Sequence, residues 1–205
     1  MPKKSAGRIS VLSTGIALGA IASLTVGTPV ANAGTVKEIN VKKSRVFVVG
    51  DSLTVGTAPY LRRALRPKVR ALSINAQVSR FTGPGIAKLT TKRAQKAHIW
   101  VVALGTNDGP STQQTRKNVK RVMRLAGKRS VIWVNVVRPG GYGGVNRVLR
   151  KEDRARSNLS VLDWASVIRS RSSLLAGDRV HLTSNGYKVR ATLTMRAVLA
   201  LDTTR

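Results

Sequence analysis

Asp178 and His181 stand three positions apart in a chain of 205 residues, within the stretch AGDRVHLTSNGY. In a tight turn that spacing lets a carboxylate meet one imidazole nitrogen while the other faces outward. A nucleophilic serine requires such a pair: a base to take its proton, and a carboxylate to hold the base's tautomer and stabilise the imidazolium. Candidates are scarce, because the chain has only 2 histidines and 8 acids. His98 opens a predicted buried strand with no acid near it in sequence, and reads as structural. An aspartate three before the other histidine is hard to ascribe to solubility in so basic a protein.

The serine is sought at the ends of strands. VFVVGDSLTVG, residues 46–56, is a run of β-formers that stops at Gly50-Asp51-Ser52 and then enters a helical pattern. Ser and Asp both suit a helix N-cap, since their oxygens accept from the orphan N–H groups of the first turn. A nucleophile also suits this corner, because open α/β sheets bind ligands beyond the C-terminal ends of their strands. From this stretch alone the cap is the simpler reading. ALGTNDG, residues 103–109, follows a second strand in the same way. The side-chain N–H of Asn107 there can hold the oxyanion of an acyl-transfer intermediate, together with backbone N–H groups at the serine turn. It can equally be a turn-forming Asn.

The elements that must position these residues alternate. Strand patterns cover 45–49, 69–75, 98–104, 130–137 and 160–162; helix patterns cover 53–65, 86–95, 113–125, 145–158 and about 184–201. Val119, Val122, Met123 and Leu125 make a narrow apolar stripe among Arg and Lys in the third helix. Strand and helix in turn predict a parallel sheet of about five strands covered by helices on both faces. No repeat or low-complexity segment interrupts the pattern.

Residues 1–33 read as a secretory signal peptide: Lys3, Lys4 and Arg8, then an uncharged run from Ile9 to Val30, then the small-x-small exit Ala31-Asn32-Ala33. Residues 34–43 are a short basic lead-in, and 44–205 form one domain. The expected protein is exported, soluble after cleavage, and monomeric. With no cysteine, it has neither disulfides nor a lipid-bearing thiol and stands on its core alone. Net charge is +29, or +26 without the three basic residues of the leader. Such a field attracts polyanions, an anionic cell-wall polymer or a membrane surface among them; solubility alone is the plainer explanation. Nucleic acid is a poor fit, because only 4% of residues are aromatic and Trp100 and Trp133 fall in core strands. No cofactor is implied, and His98 and His181 lack partners at metal-ligand spacing.

GDSLTVG, LGTND and the DxxH of Asp178 and His181 resemble the sequence blocks of the SGNH (GDSL-type) hydrolases. VLDWASVIRS and HLTSNGYKVRA resemble small bacterial members too, so the likeness spans nearly all of the chain after the leader. It implies a flavodoxin-like three-layer α/β/α sandwich. It also implies a nucleophile at Ser52, His181 as base, Asp178 as its partner, and an oxyanion hole from Ser52, Asn107 and a residue after the second strand. That last position is usually glycine in the family; INAQVSRF puts Ser79 there, which keeps a backbone N–H but adds a side chain.

The leading expectation is a secreted serine esterase that cleaves carboxylic esters, O-acetyl groups on a cell-wall polysaccharide among them. Transfer of the acyl group to a sugar uses the same residues. A protein of another class, binding polyanions on a disused hydrolase scaffold, is the third reading; intact Ser52, Asn107, Asp178 and His181 weigh against it.

Overall fold

The structure is a computed structural model and describes residues 39–203; the predicted leader, residues 1–33, and residues 34–38 of the lead-in lie outside the described residues. Five strands, β1 (Arg45–Gly50), β2 (Ala71–Ala76), β3 (Ile99–Ala103), β4 (Ser130–Val134) and β5 (Leu159–Leu162), form one sheet in the order β2-β1-β3-β4-β5. Every pairing is parallel. This is the flavodoxin-like order, whose connections reverse direction between β1 and β3 and leave a crevice at the strand ends there.

Among the described residues, seven α-helices surround the sheet: α1 (Ser52–Leu65), α2 (Thr82–Ala87), α3 (Lys92–Gln95), α4 (Thr112–Ala126), α5 (Gly143–Arg154), α6 (Trp164–Ser170) and α7 (Ser184–Leu199). The period-2 alternation of the strands assigns their layers. Phe47, Val49, Trp100, Val102, Val131 and Trp133 face one side and pack with Ile86, Val119, Val122 and Leu149 of α2, α4 and α5. Val46, Val48, Ile99, Val101, Ile132 and Val134 face the other and pack with α1, α6 and α7 through Leu53, Leu61, Trp164, Ile168, Ala191 and Val198. Both faces are covered, which is why these strands read as continuous apolar runs. Among the described residues, no helix is long and apolar enough to cross a membrane.

Several boundaries differ from expectation. The single helix expected over 86–95 is α2, a 3-10 turn at Lys88–Thr90 and the one-turn α3. The hydroxyl of Thr91 caps α3 at Ala94 N, so the chain restarts there instead of continuing. The helix expected over 145–158 begins at Gly143 and stops at Arg154. β4 ends at Val134, not at 137. Helix α6 was not foreseen; its cap, Asp163, accepts from Ser166 N at 3.1 Å. The part of the lead-in that is described joins the core: Val41 is 1% exposed, and Ile39 exchanges backbone and side-chain hydrogen bonds with Thr203.

Candidate active site

Strands β1, β2 and β3 end level, since Gly50 pairs with Ala76 on one side and Ala103 on the other. The segments that follow them, Asp51-Ser52, Gln77–Arg80 and Leu104–Asp108, therefore meet at one edge, at the crevice between β1 and β3.

Asp51 and Ser52 divide the two duties their stretch suggested. Asp51 is the N-cap of α1 and its Oδ1 accepts from Leu53 N at 3.0 Å. Ser52 opens the helix, and its hydroxyl turns instead to His181, with Oγ 3.0 Å from Nε2. Gly50 makes the corner possible. A Cβ there would lie 1.9 Å from Thr54 Oγ1, so the first turn of α1 packs directly against the strand end.

The loop before α7 presents His181. Arg179 N bonds to the Ala176 carbonyl and closes a turn in which Arg179 takes φ 58°. Oδ1 of Asp178 accepts from Val180 N and His181 N at 3.0 and 2.9 Å, while its Oδ2 lies 2.6 Å from His181 Nδ1. These bonds, that from the imidazole first, hold the Asp178 carboxyl down at about 2. The carboxylate is thus charged throughout the neutral range and commits Nδ1 to itself, leaving Nε2 to face Ser52. About half of each side chain, 45% for His181 and 50% for Asp178, is exposed.

Asn107 and Ser79 sit across from the serine turn. The Nδ2 of Asn107 donates to the Arg80 carbonyl at 3.1 Å. An amide carries two such hydrogens, so this bond orients the group and leaves one hydrogen over. Ser79 has φ 57°. That left-handed conformation costs any residue with a Cβ and suits glycine, a physical reason for the glycine expected at this position.

His98 lies elsewhere. It is exposed, immediately precedes β3 at the opposite edge of the sheet, and its Nδ1 accepts from Arg45 N at 3.3 Å. The expectation that it opens a buried strand is corrected: burial starts at Ile99. Among the described residues, no three His, Cys, Asp or Glu side chains gather where they could hold a metal ion.

Sequence reasoning passed over the charged groups beneath the site. Arg80 is 5% exposed and reaches under the strand ends; its Nη1 donates to the carbonyls of Asn75 (2.8 Å) and Gly50 (3.2 Å), and its Nη2 to Gln77 Oε1. Arg190 of α7 is 4% exposed and lies over the Trp164 ring at 5.5 Å. Burial lowers the pKa of both guanidinium groups, and the charge of Asp51 opposes that shift. Asp51 is wholly buried and its pKa is raised by desolvation, against the pull of Arg190 and the Thr106 hydroxyl; its Oδ2 has no partner at hydrogen-bond geometry. Arg80 carried a signal, as the only charge between Ala71 and Ala87. Arg190 did not, since it reads as one more cation on a basic helix.

Asp108 secures the Asn107 loop. Its carboxylate accepts from both the backbone N–H and the hydroxyl of Thr82, and its carbonyl accepts from the Tyr142 hydroxyl. Behind the loop is a cavity of about 20 Å³ lined by Thr82, Leu104, Trp133 and Val145 among others, room for about one water. Neither Ser52 nor His181 lines it.

No protein-family model matches the chain. Among curated proteins it is similar to the O-acetyltransferase OatA of Staphylococcus aureus, 24% identical over 163 residues, which cover 78% of this chain and 26% of that one. It is also similar to the peptidoglycan O-acetyltransferase OatA of Listeria monocytogenes, 28% identical over 150 residues, covering 70% and 22%. The chain thus spans about a quarter of the length of these relatives. Among solved structures, the C-terminal catalytic domain of Streptococcus pneumoniae OatA superposes with a TM-score of 0.64 at 19% identity, covering 79% of this chain and 96% of that one. A family 3 carbohydrate esterase of Clostridium thermocellum gives 0.63 at 14% identity, covering 78% and 100%. What these likenesses share with the chain is the fold, a parallel five-stranded sheet with helices on both faces.

Proposed function

We infer that this protein is a serine acyl hydrolase that cleaves carboxylic esters outside the cell, with Ser52 as nucleophile. The observation that carries this reading is the unbroken series from Ser52 Oγ through both nitrogens of His181 to Asp178 Oδ2, at 3.0 and 2.6 Å. His181 Nε2 takes the serine proton as Oγ attacks the ester carbonyl, and returns it to the departing alkoxide. Asp178 steadies the imidazolium. The developing oxyanion is received by the N–H groups of Ser52 and Ser79 and the free amide hydrogen of Asn107. Water then repeats the sequence on the acyl-serine and releases the acid.

The half-exposed His181 and Asp178 favour hydrolysis, since water reaches the base that must activate it. The names of the curated relatives favour the alternative, in which a sugar hydroxyl takes the place of that water. The two readings share every residue up to the acyl-serine and differ only in the acceptor. They are distinguished by following acyl esters from acetyl upward on the purified protein, with and without chitooligosaccharide. Free acid alone in both cases means hydrolysis, and acylated sugar means transfer. An O-acetylated cell-wall polysaccharide is the proposed natural substrate, which fits both the names of the relatives and the charge of the chain. The third reading, a binding protein on a disused scaffold, requires that no ester be cleaved.

A further inference from the structure

Helix α4 carries more cations than any other described helix. Its sequence, TQQTRKNVKRVMRLA, holds five cations and no acid. Asn118, Val119, Val122 and Ala126 are turned into the core, and Arg116, Lys117, Lys120, Arg121 and Arg124 are all exposed. Arg116, Lys120 and Arg124 recur every four residues, so they stand in a row along the helix about 6 Å apart. Lys117 and Arg121 form a second row beside it, and exposed Lys128 lies just past the helix end. Like charges at i,i+4 destabilise a helix. Arg124 of α4, like Arg62 and Arg63 of α1, lies in the last turn, where it suits the dipole, but the rows that precede it have no such relief.

None of the five α4 cations forms an ion pair; the acid-bearing pairs among the described residues are Arg156–Glu152 and His181–Asp178. Of the other described acids, Asp51 is buried, Asp108 serves Thr82, Asp163 caps α6, Asp153 lies in the last turn of α5, and Asp202 follows α7. Helix α5, packed beside α4, adds exposed Arg147, Lys151 and Arg154. A local penalty of this kind, kept without compensation inside the fold, marks a surface whose compensation comes from outside. The row also has a direction. Thr112 opens α4 three residues after Gly109, so the first cations stand nearest the strand edge that carries Ser52 and Asn107.

The geometry points to the exposed face of α4 as a docking track for a linear polyanion, and to a phosphodiester-linked polyol chain as its occupant. Such a chain presents phosphates at short regular intervals, matching cations in a row. It also carries hydroxyls that can bear acyl esters; this last point rests on the Ser52 reading, whereas the track itself does not. Nucleic acid fits less well: the one large aromatic side chain that is prominently exposed among the described residues, Phe81, is not on this helix.

The test measures binding of the full chain to poly(glycerol phosphate) across a salt series, with a duplex DNA oligonucleotide and uncharged dextran alongside. Three variants are compared with wild type: Arg116→Gln/Lys120→Gln/Arg124→Gln, the equal-charge control Arg62→Gln/Arg63→Gln/Arg66→Gln, and the single Lys120→Gln. The α4 triple should lose tenfold or more in affinity, and its slope of log affinity against log salt should flatten by about 2. The α1 triple should change by less than threefold and Lys120→Gln by an intermediate factor, with dextran unbound by all. Thermal melting of the α4 triple should stay level or rise, because like-charge pairs have been removed. Equal losses in the two triples would show that net charge alone binds and would overturn the track. So would failure of wild type to bind at low salt, and DNA binding as tight as the polyol phosphate would overturn the occupant. Hydrolysis of a small neutral ester is read in parallel. Polymer binding without any ester cleavage would sink the Ser52 reading and leave the track standing.

Discussion

The side-chain amide of Asn107 is bonded to the backbone carbonyl of Arg80, 3.1 Å away and 27 positions earlier in the chain. The same Arg80 extends its guanidinium under the ends of β1 and β2, to the carbonyls of Gly50 and Asn75. One residue therefore links the amide proposed for the oxyanion hole to the strand that carries the proposed nucleophile. Asn107→Ala should lower kcat a hundredfold or more with KM little changed, as loss of a preorganised oxyanion donor does. Wild-type kcat in that variant would remove Asn107 from the chemistry.

Ser52→Ala deletes one hydroxyl that caps nothing, because Asp51 holds the cap. Ester hydrolysis should fall by several powers of ten while the melting temperature stays within a few degrees of wild type. His181→Ala should be nearly as damaging, and His98→Ala, altered at the far edge of the sheet, should leave kcat within a few-fold. A reversed ranking of the two histidines, read from kcat/KM, would show that the wrong one has been chosen.

Asp178 gives a signed pH effect. Its carboxyl is held at about 2, below its ordinary value of 3.8. A carboxylate so depressed contributes stability that is present above the unfolded value and is lost as pH falls through the folded one. Asp178→Asn should therefore be less stable than wild type at pH 5, and the difference should vanish near pH 2. Urea unfolding at the two pH values measures this, and an equal difference at both would exclude the mechanism. In activity the variant should lose roughly 10³- to 10⁴-fold.

At Ser79 the left-handed φ of 57° makes glycine the easier residue. Ser79→Gly should keep or raise kcat and leave stability within about 1 kcal/mol, since relief of strain is offset by the greater freedom of glycine in the unfolded chain. A variant that folds but is inactive would assign a role to the serine hydroxyl itself.

Gly50→Ala should be worse than its size suggests. The added Cβ would lie 1.9 Å from Thr54 Oγ1, so the first turn of α1 must move and carry Ser52 with it. A loss of about 2 kcal/mol or more is expected, together with a fall in kcat. An unchanged melting curve would mean that the strand–helix corner yields easily.

Local patterns were enough to determine the alternation of strand and helix, the parallel sheet buried on both faces, and Trp100 and Trp133 as core. These depend on period and run length, which neighbouring residues carry. The pairing of Asp178 with His181 was legible for the same reason, being closed within one turn. The expectation that Ser52 and Asn107 share an edge also needed only the rule that loops after parallel strands gather on one side; the turn of Asp178 and His181 follows a helix, and its approach to Ser52 is a tertiary contact. What depends on distance in space was decided by the tertiary structure. Burial turned Arg80 and Arg190 from two cations among 37 into the charged floor beneath Asp51. Where the sheet's covering began left His98 exposed just outside it. The register of β2 against β1, and the turn that leaves it, put Ser79 at a positive φ that no residue preference announces. Side-chain pattern encodes which face of an element is buried; the neighbours a charge will meet there come from elements far along the chain.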